Sequence, residues 1–140
     1  MTEPSQDDLR KLYAEAKTIA VVGCSSRSRW PKPSAVVPAY MQAHGFRIVP
    51  VNPHETEILG EPAVASLADL SEPVDVVDVF RRPEHVPAIA RDAVAVGAGA
   101  LWLQLGVLSA EGATIAAEGG LDVVMDRCFA VEHREVVGWS

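Results

Sequence analysis

A short polar loop follows the first strongly apolar run of the chain and carries groups that favour phosphate. The run ends at Gly23, and Cys24, Ser25, Ser26 and Arg27 come next. Exposed backbone N–H groups, serine hydroxyls and guanidinium groups all bind anions. A glycine followed by serines is also typical of an ordinary turn. The loop therefore predicts a phosphate site only together with the loops that lie beside it.

The loop lacks the glycine pattern that dinucleotide-binding proteins use. Only Gly23 of a Gly-x-Gly-x-x-Gly pattern is present. The second apolar run ends in Asn52, Pro53 and His54, without the acid that binds the ribose of NAD. These residues suit a ligand with an additional phosphate, so NAD is the less favoured ligand.

Two further loops could contribute to the same site. Phe80, Arg81 and Arg82 follow the third apolar run, and Gln104 and Leu105 follow the fourth. Paired arginines can hold a diphosphate through forked hydrogen bonds, and an aromatic ring can lie against a base or a pantetheine arm. Two arginines before a helix can equally be a solvated pair. The amide of the fourth loop could fix a polar arm of the ligand.

Charge is unevenly distributed along the chain. The net charge of −7 argues against general nucleic-acid binding, because a phosphate backbone would be repelled. No carboxylate lies between Glu15 and Glu55, where the chain instead carries five cations. The pattern predicts an anion site on an acidic protein, unless the cations are scattered by chance. The five cations are Lys17, Arg27, Arg29, Lys32 and Arg47.

Other chemistry is less well supported by the residues. Cys128 follows Arg127, and a neighbouring cation can lower a thiol pKa enough for nucleophilic or redox chemistry. A small buried cysteine is the alternative, and Asp126 could pair with Arg127. The histidines and cysteines lack the spacing of a metal site, and no Ser-His-Asp elbow or phosphate-binding lysine loop is present.

The order of apolar runs predicts an α/β fold in a single domain over residues 1–140. The runs are short and rich in β-branched residues, as strands buried on both faces are. Helix-length segments separate them, which a parallel sheet requires. We expect a Rossmann-like, doubly wound parallel sheet in the order 3-2-1-4-5, with helices on both faces. The runs occupy residues 18–23, 47–51, 74–80, 100–104 and 121–125.

Capping signals place the helices. Ser34 is predicted to cap a helix that ends at His44, with Pro38 tolerated near its first turn. Further helices are expected at residues 9–16, 83–97 and 109–118, although Gly112 weakens the last of these. Residues 55–69 have no clear period, so a loop with a short helix near Ser66 is expected there.

The chain has the composition of an ordinary soluble protein. Its first residues are acidic where an export signal is cationic, and no apolar stretch approaches the roughly 20 residues that span a bilayer. We therefore expect a cytoplasmic protein that does not enter membranes. Its two cysteines, Cys24 and Cys128, should then be reduced.

Taken together, the strands and their trailing loops resemble a known family, the stand-alone bacterial and archaeal CoA-binding proteins. These are similar to the CoA-binding N-terminal domain of the succinyl-CoA synthetase α subunit. The resemblance extends from about Leu9 to His133. It lies in the segments IAVVG, VPVNP, ILG, PVDVVDVFRR, LWLQLG and VMDRC, which cover residues 19–23, 49–53, 58–60, 73–82, 101–106 and 124–128.

The resemblance implies coenzyme A as the ligand and suggests roles for the loops. The loop from Gly23 to Arg27 would hold the CoA diphosphate, and the turn at residues 52–54 would lie near the adenosine and its 3′-phosphate. The third and fourth loops would line the path of the pantetheine arm. The synthetase relatives have a lysine near the second loop, where this chain has His54 or no equivalent. His133 is not assigned the synthetase's phosphohistidine role, because that residue belongs to a second domain.

Three hypotheses about function follow. The first is a module that binds CoA or acyl-CoA and catalyses nothing by itself. The second is an enzyme, either a nicotinamide oxidoreductase or a thiol-dependent acyl carrier that uses Cys128. The third is a regulatory partner of a separate acyl-CoA ligase or acetyltransferase.

Overall fold

A computed structural model describes residues 3–26 and 31–138 of the chain. Five parallel strands form one sheet, and a two-stranded antiparallel hairpin lies outside it. The sheet strands are β1 (Thr18–Val22), β2 (Arg47–Val51), β5 (Val76–Val79), β6 (Ala100–Leu103) and β7 (Asp122–Met125), and the hairpin is β3 (Glu57–Ile58) and β4 (Glu61–Pro62).

Five α-helices surround the sheet. They are α1 (Gln6–Glu15), α2 (Pro33–Ala43), α3 (Val86–Ala95), α4 (Ala110–Glu118) and α5 (Phe129–Val136), and short 3-10 helices occupy Leu67–Asp69 and Pro83–His85. The predicted strands and the first four helices are all present, with ends that shift by a few residues. The β3–β4 hairpin and α5 were not predicted from the sequence.

The two faces of the sheet carry separate apolar clusters. The first cluster lies under α1, α2 and α5 and includes Tyr13, Met41 and Trp102. The second lies under α3 and α4 and includes Val77 and Leu101. Side chains alternate across each strand, so consecutive apolar residues serve both clusters. The predicted α/β, doubly wound parallel architecture with helices on both faces is confirmed.

The strand order differs from the predicted 3-2-1-4-5. The sheet runs β2-β1-β5-β6-β7, which places the third of the five strands next to the first. The reason lies in the connection between β2 and β5, which has no long helix. It crosses the second face, where Leu67, Leu70 and Val74 pack into the second cluster. A right-handed connection on that face adds the next strand on the side of β1 away from β2.

This order determines which loops meet. β1 pairs with β2 on one side and with β5 on the other. The loops after these three strands therefore emerge side by side at the carboxyl edge of the sheet, which is where ligands bind in doubly wound folds.

Candidate functional site

Gly23, the residue after β1, allows a close approach between two loops. Its φ is +85°, a conformation that favours glycine. A Cβ atom at this position would lie 2.8 Å from the carbonyl oxygen of Phe80 and 3.1 Å from Cδ of Arg81. The first loop and the loop after β5 are thus in direct contact, as the corrected strand order requires.

The N–H groups of this loop are less available than the sequence predicted. Gly23 donates to the carbonyl of Val51 at 3.0 Å, and Ser25 donates to the carbonyl of Ser34 at 3.0 Å. The Ser25 and Ser34 hydroxyls are also 3.0 Å apart. These bonds fix the loop to β2 and to the start of α2, so neither N–H group is free to bind a ligand.

Pro38 explains why Ser34 can accept this bond. The sequence predicted Ser34 as the N-cap and Pro38 near the first turn, but the helix begins at Pro33 with Lys32 as its N-cap, so Pro38 lies well inside α2. Proline has no N–H, so the carbonyl four residues earlier, that of Ser34, is left without its helical partner. The Ser25 N–H takes that place.

Glu55 accepts from Ser26, the next residue of the loop. The Ser26 N–H donates to Glu55 Oε2 at 3.2 Å, and the Ser26 hydroxyl donates to Oε1 of the same carboxylate. Asn52 Nδ2 lies 3.4 Å from Glu55 Oε2. Sequence reasoning missed this residue. The only signal for it was its position four residues after the end of β2, and the contact with Ser26 spans 29 positions of the chain.

Asn52 connects the second loop to the first. Its side-chain amide donates to the carbonyl of Cys24 at 2.9 Å, and its Oδ1 accepts the N–H of His54 at 2.7 Å. Its amide is therefore used mainly in holding the two loops together. Pro53 and His54 are exposed at the rim.

The cations at this edge differ in exposure. Arg81 is half-buried and its Cδ lies against the first loop, whereas Arg82 and Lys32 are exposed. Phe80 is half-buried and packs against the first core cluster. Arg81 is therefore a cation held in contact with the first loop. Arg27 lies outside the described residues.

The loop after β6 divides into a buried and an exposed residue. Gln104 is 4% exposed, and its Oε1 accepts the N–H of Phe129 at 3.4 Å, at the start of α5. Leu105 is 67% exposed at the rim. Of the two residues of this loop that were predicted to line the pantetheine path, Leu105 is therefore the accessible one.

Asp126 and Arg127 do not form the predicted ion pair. The Asp126 carboxylate accepts the N–H of Gly106 at 2.7 Å. Arg127 instead pairs with Glu3 at 3.1 Å and Glu132 at 3.8 Å. Both charged groups are therefore used in contacts with other residues.

The two cysteines have different environments. Cys24 is 0% exposed, and burial raises the pKa of its thiol to about 12, with smaller contributions from Glu55 and Asp78. It therefore borders the site only through its backbone. Cys128 is half-buried at the N-cap of α5, and both cysteines are free.

A match to a family model shows what kind of domain this is. The model describes a CoA-binding domain and matches residues 17–134. The chain belongs to this CoA-binding domain family. The match includes every strand of the sheet and the loops that follow β1, β2, β5 and β6 at its carboxyl edge.

Two relatives match this chain over nearly its whole length. The Bacillus subtilis (strain 168) protein YneT is 38% identical, over 95% of this chain and 97% of its own length. A solved structure from Thermus thermophilus, cell-free ID.343, is 41% identical with a TM-score of 0.88, and the alignment covers 95% of this chain and 99% of that one.

A larger enzyme contains a similar fold. The acetyl-coenzyme A synthetase 1 of Ca. Korarchaeum cryptofilum aligns with a TM-score of 0.66 over 79% of this chain and 26% of its own. At 19% identity, this likeness shows the fold alone. A fold of this kind therefore also occurs within a larger enzyme.

Other features of this CoA-binding domain lie away from the loop site. His133 is buried, and its Nδ1 lies 2.9 Å from the Tyr40 hydroxyl, while burial lowers the pKa of its imidazole. A cleft of about 580 Å³ lies at the opposite, amino-terminal edge of the sheet, beside Asp75 and Gly99. Within residues 3–26 and 31–138 no group of His, Cys, Asp or Glu side chains could hold a metal ion, and no helix could span a membrane.

Proposed function

We propose that the protein binds coenzyme A or an acyl-CoA at the carboxyl edge of its sheet and that it catalyses no reaction by itself. Membership of the CoA-binding domain family is the observation that carries this proposal. The contact between the first loop and Phe80–Arg81 supports it, because a half-buried guanidinium group beside a glycine turn suits a diphosphate.

The accessible groups at the edge suit the different parts of the ligand. The first loop and Arg81 would bind the diphosphate, and the exposed Pro53 and His54 would lie near the adenosine and its 3′-phosphate. Leu105, an exposed apolar side chain at the rim, would contact the pantetheine arm. Gln104 would act indirectly by fixing the start of α5.

The side chains at this edge support binding of the ligand without catalysis. The Cys24 thiol is inaccessible, and its raised pKa disfavours the thiolate that a nucleophile needs. Cys128 is the remaining thiol for an acyl-carrier reaction. Alkylation of Cys128 with and without acyl-CoA separates the two possibilities, since rapid alkylation that acyl-CoA prevents would favour the enzyme.

Calorimetric titration of the purified protein with CoA, dephospho-CoA and NAD tests the ligand class. We expect CoA to bind more tightly than NAD. Arg81→Ala should weaken CoA binding by roughly tenfold, the effect of losing one charge-assisted contact to phosphate. Arg91→Ala, which removes the same charge from an exposed position of α3, is the matched control.

Two results would contradict the proposal. Binding of NAD with no measurable binding of CoA would exclude the ligand class. Equal effects of the Arg81 and Arg91 substitutions would place the ligand away from the carboxyl edge of the sheet.

A further inference from the structure

We infer that Glu55 is an internal competitor for the ligand's diphosphate and so determines the affinity of the site for anions. This inference rests on the proposed function, because it concerns the same loop. Its basis is a carboxylate that occupies the donors which a phosphate group would otherwise use.

The hydrogen-bond donors of the first loop differ in the groups that they bind. The Gly23 and Ser25 N–H groups donate to backbone carbonyls that hold the loop in shape. The Ser26 N–H and hydroxyl instead donate to a side chain, the Glu55 carboxylate. A side chain can rotate away without disturbing the sheet, whereas the carbonyls of Val51 and Ser34 cannot. Ser26 therefore carries donors that a ligand can obtain by displacing another group.

The Glu55 carboxylate binds the loop in the way that a phosphate group would. Two Glu55 oxygens accept from two donors of one loop residue, and the Asn52 amide approaches one of them at 3.4 Å. Phosphate oxygens bind the same kind of donor set at the turn between a strand and a helix. The contact is only part-buried, so water and a ligand can both reach it.

The Glu55 carboxylate and a bound diphosphate would repel each other at Ser26. A diphosphate that approached Ser26 while Glu55 stayed in place would bring two anions within hydrogen-bond range of the same donors. Like charges so close repel each other, and part-burial weakens the screening by water. The ligand must therefore displace the carboxylate, and this displacement lowers the apparent affinity.

Glu55→Gln tests this inference because glutamine keeps the shape and one acceptor oxygen but removes the charge. Glu57→Gln is the matched control, since this neighbouring carboxylate is exposed and takes part in no hydrogen bond or ion pair found in the described residues. Both variants have the same net charge, so a general change in surface charge affects them equally. Dissociation constants for CoA, dephospho-CoA and inorganic pyrophosphate are measured for the wild type and both variants.

We expect Glu55→Gln to bind CoA and dephospho-CoA three- to tenfold more tightly than the wild type, roughly the effect of one interaction of about 1 kcal/mol. The affinity for pyrophosphate should increase by the same factor, because Glu55 competes with the diphosphate. Glu57→Gln should bind like the wild type. The gain should decrease as salt is added.

Two results would overturn the inference. Weaker binding by Glu55→Gln would show that the carboxylate positions the loop for its ligand and does not compete with it. A gain with CoA that is absent with dephospho-CoA would place Glu55 opposite the 3′-phosphate. If the wild type does not bind CoA at all, the proposed function fails, and the pyrophosphate titrations still show whether Glu55 excludes anions from Ser26.

Discussion

Asp78 shows how the sheet holds an ionisable side chain in its packed interior. It lies in β5 between Val21 of β1 and Trp102 of β6, and it is 0% exposed. Neither of its carboxyl oxygens has a hydrogen-bond partner in the described part of the chain. Burial raises its pKa well above the ordinary 3.8. The neutral acid is therefore the form that the fold favours.

This burial predicts a pH dependence of stability. In the unfolded chain Asp78 ionises near pH 3.8, whereas the folded protein keeps its proton to higher pH. Unfolding above pH 3.8 therefore releases a proton, and the free energy of unfolding falls by up to about 1.4 kcal/mol per pH unit until the folded-state pKa is passed. Asp78→Asn removes this contribution.

Urea denaturation of both proteins from about pH 4 to about pH 8 measures the effect. The free energy of unfolding of Asp78→Asn minus that of the wild type should increase with pH. If the two curves stay parallel over this range, Asp78 does not keep its proton in the folded protein.

Individual side chains were the part of the site that the sequence predicted least well. The pattern placed Gly23, Asn52, Arg81 and Leu105 at one edge, because strand ends in a parallel sheet converge. It could not show that the Cys24 thiol points into the core. Burial of a side chain depends on contacts between distant segments. The hydrophobic periodicity of a single segment does not indicate those contacts.

At the scale of elements, the packing of α3 against α4 depends on a glycine. Gly112 lies inside α4, where a Cβ atom would come within 2.4 Å of Cγ1 of Val86 on α3. The residue that weakened the predicted helix is thus the one that lets the two helices approach. Ser109 still caps the helix by accepting the N–H of Gly112 at 3.0 Å.

Gly112→Ala is expected to destabilise the protein although alanine is the better helix former. The propensity gain is about 1 kcal/mol, whereas overpacking a tight contact costs roughly 1–3 kcal/mol or more. Adding Val86→Ala removes the clash, so the double variant should lose less stability than the two single losses combined. Additive losses in thermal denaturation would show that the helices do not meet at this point.

The strands were predictable from short runs of β-branched residues, but their order was not. The right-handed rule gives a direction only when the face of each connection is known. For the connection between β2 and β5, that face depends on Leu67, Leu70 and Val74, which pack into the second cluster although the segment forms only a short 3-10 helix. The missed α5 has a similar cause, since its eight residues carry only three buried side chains.

At the scale of the whole molecule, the two ends of the chain close one face of the sheet. α1 and α5 lie side by side over the first core cluster. The Tyr13 hydroxyl donates to the carbonyl of Phe129 at 2.9 Å, and the two rings meet edge to face at 5.0 Å. Gln104 also accepts the N–H of Phe129, so the loop after β6 is hydrogen-bonded to the start of α5 as well.

Tyr13→Phe tests whether this closure contributes to the stability of the whole fold. The substitution keeps the ring and its contacts but removes the hydroxyl that donates from α1 to the first residue of α5. A buried hydrogen bond of this kind contributes about 1 kcal/mol, so the urea midpoint should fall while the slope of the transition stays unchanged. An unchanged slope means that α1 and α5 still unfold together with the sheet. A second, earlier transition reported by amide exchange in α1 alone would instead show that the first helix is an independent attachment.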